Sequence, residues 1–106
     1  MFKAMILLKR NEALTFNEFK TWWLEQHAPL ARQLPGLRKA VFNIVDREGT
    51  SDVDGISELW FDSLSDFEAA YQSEVGLSVA ADTMSKVARR DRLMIEEHNI
   101  YHTPYT

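Results

Sequence analysis

A chain of 106 residues makes one domain, residues 1–106, with enough apolar side chains for a single core. A hydrophobic fraction of 45%, with three Trp, three Tyr and six Phe, excludes disorder, and no apolar run approaches the roughly 20 residues of a membrane span. A net charge of −4 without a basic stripe argues against nucleic acid as a partner, and the absence of cysteine removes disulfides, thiol nucleophiles and cysteine metal sites. The Arg89-Arg90-Asp91-Arg92 cluster is too short and too mixed in charge to form such a stripe. Met1–Arg10 is too short for a signal peptide and has its basic residues on the wrong side of its apolar stretch, so a cytoplasmic location is expected.

Phe2–Lys9 is a nearly continuous apolar run, as in a strand buried on both faces. Asn11–Leu14 links it to a helix whose start is marked by Thr15 and Glu18 in capping-box spacing. Phe16, Phe19, Trp23, His27, Leu30 and Leu34 share one helical stripe, so His27 is expected to face inward. Pro29 lacks an N–H and disfavours helical dihedrals at Ala28, which predicts a break or kink beside His27 and a short second helix starting at Pro29. Pro35-Gly36 is a turn signal.

Leu37–Asp46 reads as a strand with Leu37, Val41 and Val45 on one face, interrupted by Lys39 and Asn43. Arg47–Asp54 is a polar hairpin loop ending at Gly55. Ile56–Asp62 is a third strand, with Ile56, Glu58 and Trp60 opposite Leu59 and Phe61. Ser63 with Asp66, or Ser65 with Glu68, caps a second helical region marked by Leu64, Phe67 and Tyr71. Glu74-Val75-Gly76 interrupts it, and Ala80, Met84, Val87 and Ala88 continue at helical spacing. Arg92–Tyr101 is read as the last strand, with Met94, His98 and Ile100 on one face, followed by a short polar tail.

The order β-α-β-β-α-β specifies an α+β, ferredoxin-like subunit with a four-stranded antiparallel sheet. Helices cover one sheet face, while the other still carries Val41, Val45, Trp60 and Met94, an exposed apolar surface that favours association. Two subunits packed face to face would cover it and enclose a space, a dimeric α/β barrel. A homodimer is therefore expected.

Several segments, in this order and spacing, resemble the EthD family of the dimeric α/β-barrel superfamily. They are L-L-K-R (Leu7–Arg10), F-x-x-x-W (Phe19–Trp23), H-A-P-L (His27–Leu30), L-P-G-L-R (Leu34–Arg38), E-L-W-F-D-S (Glu58–Ser63) and E-E-H (Glu96–His98). The resemblance spans nearly the whole chain and implies a ferredoxin-like subunit in a dimeric barrel. Relatives include a methylmuconolactone methylisomerase and cofactor-free enzymes or oxygenases acting on aromatic and polyketide compounds. The motif histidine falls on His27, which in isomerase-like relatives borders the barrel pocket beside a tyrosine following the P-G-L turn. Here that stretch is Leu37-Arg38-Lys39-Ala40, with alanine where the tyrosine is common, which weakens the case for the isomerase reaction.

His27 is the candidate acid or base; its plain structural reading is a core histidine satisfied by a backbone carbonyl. Candidate substrate contacts are Trp23 on the same stripe, Asn43 as an amide orienting an oxygen, Trp60 as an aromatic wall, His98 facing the pocket and Lys9 supplying positive charge. Each has an ordinary alternative in packing, edge amides or a lysine stem reaching water. Trp22 lies beside the stripe and reads as packing. No metal is expected, since the three histidines are scattered without ligand spacing, and no cofactor motif is present. Two functions follow. One is a cofactor-free isomerase, cyclase or oxygenase-type oxidoreductase acting on a small hydrophobic, aromatic or lactone compound through His27, with Asn43 or His98 stabilising an oxyanion. The other is a non-catalytic dimer that sequesters a hydrophobic metabolite.

Overall fold

The computed structural model describes residues 1–45 and 52–104. Four strands, β1 (Phe2–Arg10), β2 (Lys39–Ile44), β3 (Gly55–Phe61) and β4 (Val87–Glu96), form one sheet in the order β2-β3-β1-β4. Every neighbouring pair is antiparallel. The helical segments α1 (Phe16–Thr21), a π-helical stretch (Trp22–His27) and α2 (Ala28–Ala31) form the first crossover. Helices α3 (Leu64–Gln72) and α4 (Glu74–Met84) form the second. This is the expected α+β ferredoxin-like plan. The predicted loop over 47–54 falls largely on residues 46–51, outside the described residues, as does the end of the predicted tail.

Strand alternation sets the two faces. Ala4, Ile6 and Leu8 of β1 are buried under the helices, together with Leu59 and Phe61 of β3. Register places Lys3 beside Trp60, Met5 beside Glu58 and Leu7 beside Ile56 on the opposite face. Val41 and Asn43 of β2 and Leu93 and Ile95 of β4 extend that face, which no described helix covers. Met94 does not belong to it. It pairs with Ala4 and therefore points to the helix side, where it sits half-exposed beside α3.

Caps start both crossovers. Thr15 Oγ1 accepts the Glu18 N–H at 3.1 Å while Glu18 Oε1 accepts the Thr15 N–H at 2.8 Å. Ser63 Oγ accepts the Asp66 N–H at 3.1 Å, so the first of the two predicted caps is used. Ser73 ends α3 and caps α4 through the Gly76 N–H. Gly76 is required there, because a Cβ would lie 2.1 Å from the Ala70 carbonyl oxygen.

Three expectations about boundaries need correction. The helix does not break at Pro29: Ala28 keeps α dihedrals (φ −58°, ψ −44°) and its N–H reaches back to the Trp23 carbonyl, five residues earlier. The wider turn accommodates the missing proline donor, and the chain passes from the π-helical stretch into α2 between His27 and Ala28. Helix α4 stops at Met84, and Val87 and Ala88 begin β4, because Arg10 pairs with Val87 at the end of the β1–β4 ladder. Strand β4 ends at Glu96, so His98, Ile100 and Tyr101 lie beyond it and belong to no strand face.

Candidate functional site

Gly55 opens the site. A Cβ there would lie 2.6 Å from the six-membered ring of Trp23, so only glycine lets that indole rest on β3. Trp23 is fully buried and stacks on Phe42 at 4.4 Å. The π-helical turn then brings His27 inward, 4% exposed, between Trp22 (ring centroids 5.0 Å) and Phe42 (6.2 Å). Single π turns inside helices commonly occur where a side chain is re-aimed for function.

Helix α4 meets the imidazole with two side chains. Asp82 Oδ2 lies 2.7 Å from Nδ1, and Trp22 Nε1 donates to the other carboxylate oxygen at 3.4 Å. Thr83 Oγ1 lies 3.3 Å from Nε2 and 3.0 Å from the Val79 carbonyl oxygen. A neutral ring that donates from Nδ1 to Asp82 leaves Nε2 as an acceptor for the threonine hydroxyl. With a proton on Nε2, the ring donates to Oγ1 and the hydroxyl turns to Val79. A hydroxyl rotation therefore accommodates gain or loss of a proton at Nε2, and both states remain hydrogen-bonded.

His27, Trp23, Phe42, Ser57, Tyr71, Thr83 and Arg90 line a cavity of about 10 Å³ between the helices and the sheet. That is at the threshold for one water molecule. Burial raises the Tyr71 phenol above the ordinary tyrosine range, partly offset by the positive charges of Arg92 and Arg90. The phenol therefore stays protonated and able to donate.

The structure does not bring all the expected site residues together. His27 and Trp23 lie on the helix side of the sheet, not between two sheets. Asn43 and Trp60 lie on the opposite face. There Asn43 donates to the Ile56 carbonyl at 2.9 Å and to Glu58 at 3.0 Å, and Trp60 Nε1 donates to Glu97 at 2.7 Å. Lys9 is on that face too, 3.9 Å from both Asp52 and Asp54. His98 is largely exposed and pairs with Glu96 at 2.6 Å. Asn43 and His98 therefore cannot act on an oxyanion beside His27 within one subunit. The reason is strand alternation: Phe42 and Ser57 face the cavity, so their neighbours Asn43 and Glu58 face away.

The open face has its own polar cluster. Lys3 Nζ bridges Glu58 at 3.0 Å and Glu97 at 3.1 Å, and the Lys3 and Lys39 ammonium groups flank the Trp60 ring at 5.0 and 4.7 Å. Burial opposes the charge on Lys3, but its bonds to Glu58 and Glu97 outweigh it and raise the ammonium above its usual range. Glu58 is also disfavoured as an anion by burial, yet hydrogen bonds from Asn43 and Lys3 hold it below the ordinary carboxylate range. The Trp60 N–H, then Lys3, do the same for Glu97.

Sequence reasoning missed Asp82, Thr83, Tyr71 and Arg90, and read Trp22 as packing alone. The available signal was Thr83, four residues after Val79 on the buried side of α4. The apolar Met84, half-exposed, drew the stripe to the wrong side. Among the described residues, no group of three or more His, Asp and Glu is arranged to hold a metal ion. No helix among them is long and apolar enough to cross a membrane.

The EthD-domain family model matches residues 11–88. In structure the chain is similar to an EthD family protein from Bacillus halodurans, with 24% identity and a TM-score of 0.81 over 92% of this chain and 99% of that chain. It is also similar to a dimeric ferredoxin-like protein of unknown function from Thermobifida fusca (15% identity, TM-score 0.74, 89% and 88% covered). A third likeness is to SnoaB, a cofactor-independent oxygenase from Streptomyces nogalater (12% identity, TM-score 0.68, 92% and 93% covered). These structural likenesses establish the fold. No protein of curated function matches the chain in sequence.

Proposed function

The chain belongs to the EthD family, and from that membership we propose that it is a homodimeric small-molecule enzyme in which His27 moves a proton on a small hydrophobic, aromatic or lactone compound. The reaction class is a cofactor-free isomerisation, cyclisation or oxygenase-type oxidation. The observation that carries the reading is the His27–Asp82 contact of 2.7 Å at a cavity wall, with Nε2 3.3 Å from the Thr83 hydroxyl. A carboxylate on Nδ1 fixes the tautomer and leaves Nε2 as the reacting nitrogen. At about 10 Å³ the cavity is far below the roughly 300 Å³ of a ligand pocket, so substrate entry requires side chains to move.

The site lies within one subunit, and the dimer serves a different face. Met5, Leu7, Val41, Leu93 and Ile95 share the uncovered side of the sheet, and a second copy packed there would remove them from water. Two structural neighbours are dimeric proteins of ferredoxin-like fold, which supports a homodimer.

The burial of His27 and the presence of a partner on each ring nitrogen favour a second reading, a non-catalytic protein that sequesters a hydrophobic metabolite. His27→Gln separates the two, since glutamine keeps one hydrogen bond but cannot carry a proton near neutral pH. Turnover of a panel of aromatic and lactone compounds should fall about 10²- to 10⁴-fold with binding retained. Binding without turnover in the wild type, unchanged by His27→Gln, would establish sequestration instead.

A further inference from the structure

Arg90 and Arg92 are two residues apart on β4, so both side chains stand on the helix side of the sheet. Arg90 lines the His27 cavity. Arg92 lines a neighbouring groove of about 440 Å³ between α3 and β4, walled by Phe67, Tyr71 and Met94. Tyr71 lines both spaces. The Arg92 guanidinium lies 4.9 Å from the Phe67 ring and 4.9 Å from the Tyr71 ring.

Among the described residues, positive charge predominates here. Elsewhere Arg38 pairs with Asp62, and Arg89 with Asp52 and Asp91. Among the described residues, Arg90 and Arg92 have no carboxylate within ion-pair distance. Glu68 also lines the groove but pairs with neither. Burial, and then the like charge of Arg90, hold Arg92 below the ordinary arginine range. Two arginines on the same strand face, one of them stacked against Phe67 and Tyr71, repel each other, and a shared anion relieves that repulsion. Their planar forks match the two oxygens of a carboxylate.

We propose that this groove is the mouth of the His27 cavity, and that Arg90 and Arg92 bind the carboxylate of an aromatic or lactone acid while Tyr71 moves aside for its ring. The proposal rests on the functional reading above and names the substrate class of that site. At about 440 Å³ the groove has the volume for a ring plus an acid group, which the closed cavity of about 10 Å³ has not. Displacing the Tyr71 ring joins the two spaces and delivers the apolar end of the ligand to Nε2 of His27.

The test is a binding comparison that needs no turnover. Phenylacetate and its uncharged counterpart phenylacetamide are titrated into the intact chain, followed by amide and methyl NMR shifts. The wild type should bind the acid at least about tenfold more tightly than the amide, with shifts at Tyr71 and Met94. Added salt should shrink that ratio. The Arg90→Gln/Arg92→Gln double variant should bring it close to one while affinity for the amide is retained, which also reports an intact groove. His27→Gln should keep the preference, so failure of the acid–base reading would leave this result standing. Equal affinities in the wild type, no binding of either compound, shifts confined to another surface, or a preference that survives loss of both arginines would each overturn the proposal.

Discussion

Gly55→Ala tests the packing that positions the site. The added Cβ would lie 2.6 and 2.8 Å from Cζ3 and Cη2 of Trp23 and 3.2 Å from Cζ of Phe19. Ordinary carbon contacts are about 3.5–4.0 Å, so Trp23 would have to retreat by roughly 1 Å. It has no room to do so. The ring is fully buried, stacked on Phe42 at 4.4 Å and 5.4 Å from Phe19, and the cavity beyond it is about 10 Å³. Overpacking of this kind costs about 1–3 kcal/mol. In a domain of this size each kcal/mol lowers Tm by about 4–8 °C. Thermal melts followed by circular dichroism and tryptophan fluorescence measure the loss. Trp23→Phe supplies the internal control: it removes the obstructing ring edge, so Gly55→Ala should cost much less in that background. A Tm within about a degree of the wild type, or costs that simply add in the double variant, would refute the close approach.

Other expectations follow from the same contacts. Val41→Glu sets a second carboxylate directly opposite Glu58 on the uncovered face, so sedimentation should change from two chains per particle to one; a wild type that sediments as a monomer at micromolar concentration removes the dimer. Asp82→Ala leaves His27 Nδ1 and Trp22 Nε1 without their acceptor and should cost about 1–3 kcal/mol. Imidazole ¹⁵N shifts should then report a changed balance of protons between Nδ1 and Nε2, and an unchanged pattern would show that Asp82 does not set the tautomer. Glu58 and Glu97 sit below the usual carboxylate range, so their contribution is present above about pH 4.3 and lost as pH falls through their folded values. Lys3 is raised, so its contribution persists below about pH 10.4 and is lost as pH rises through its folded value. Lys3→Met should therefore destabilise most at neutral pH and least in acid, by chemical denaturation at low salt; a difference independent of pH contradicts the cluster.

Much of the fold was readable because strand alternation and caps are local. Thr15 with Glu18 and Ser63 with Asp66 mark the helix starts in sequence, and their hydrogen bonds form as spaced. The inward orientation of His27 was legible from its stripe. Its partners were not, because Asp82 comes from a helix 55 positions away and its proximity depends on how α4 crosses the first helical layer. Pro29 misled for a related reason: local dihedral preference argues for a break, while a five-residue hydrogen-bond step keeps the helix whole. The start of β4 was hidden by its charges: the sequence pattern begins the strand at Arg92 and leaves Val87 and Ala88 at helical spacing, whereas pairing with β1 begins at Val87. Placing His27 and Trp60 in one pocket required knowing which sheet face each element covers, and a sequence period of two cannot choose between the faces.

The strand order also governs how copies of this chain can meet. β2 and β4 are the outer strands, and their free backbone edges would ordinarily invite another chain to add a strand. β2 is only six residues long and bears Lys39, while β4 presents Arg89, Arg90, Asp91 and Arg92 in succession. A short strand bearing a lysine at one rim and a run of charged residues at the other make strand addition unfavourable. Growth by strand addition has no natural stopping point, whereas two broad surfaces that cover each other leave nothing for a third copy. The guarded rims and the apolar sheet surface together favour a closed pair over an open-ended fibre.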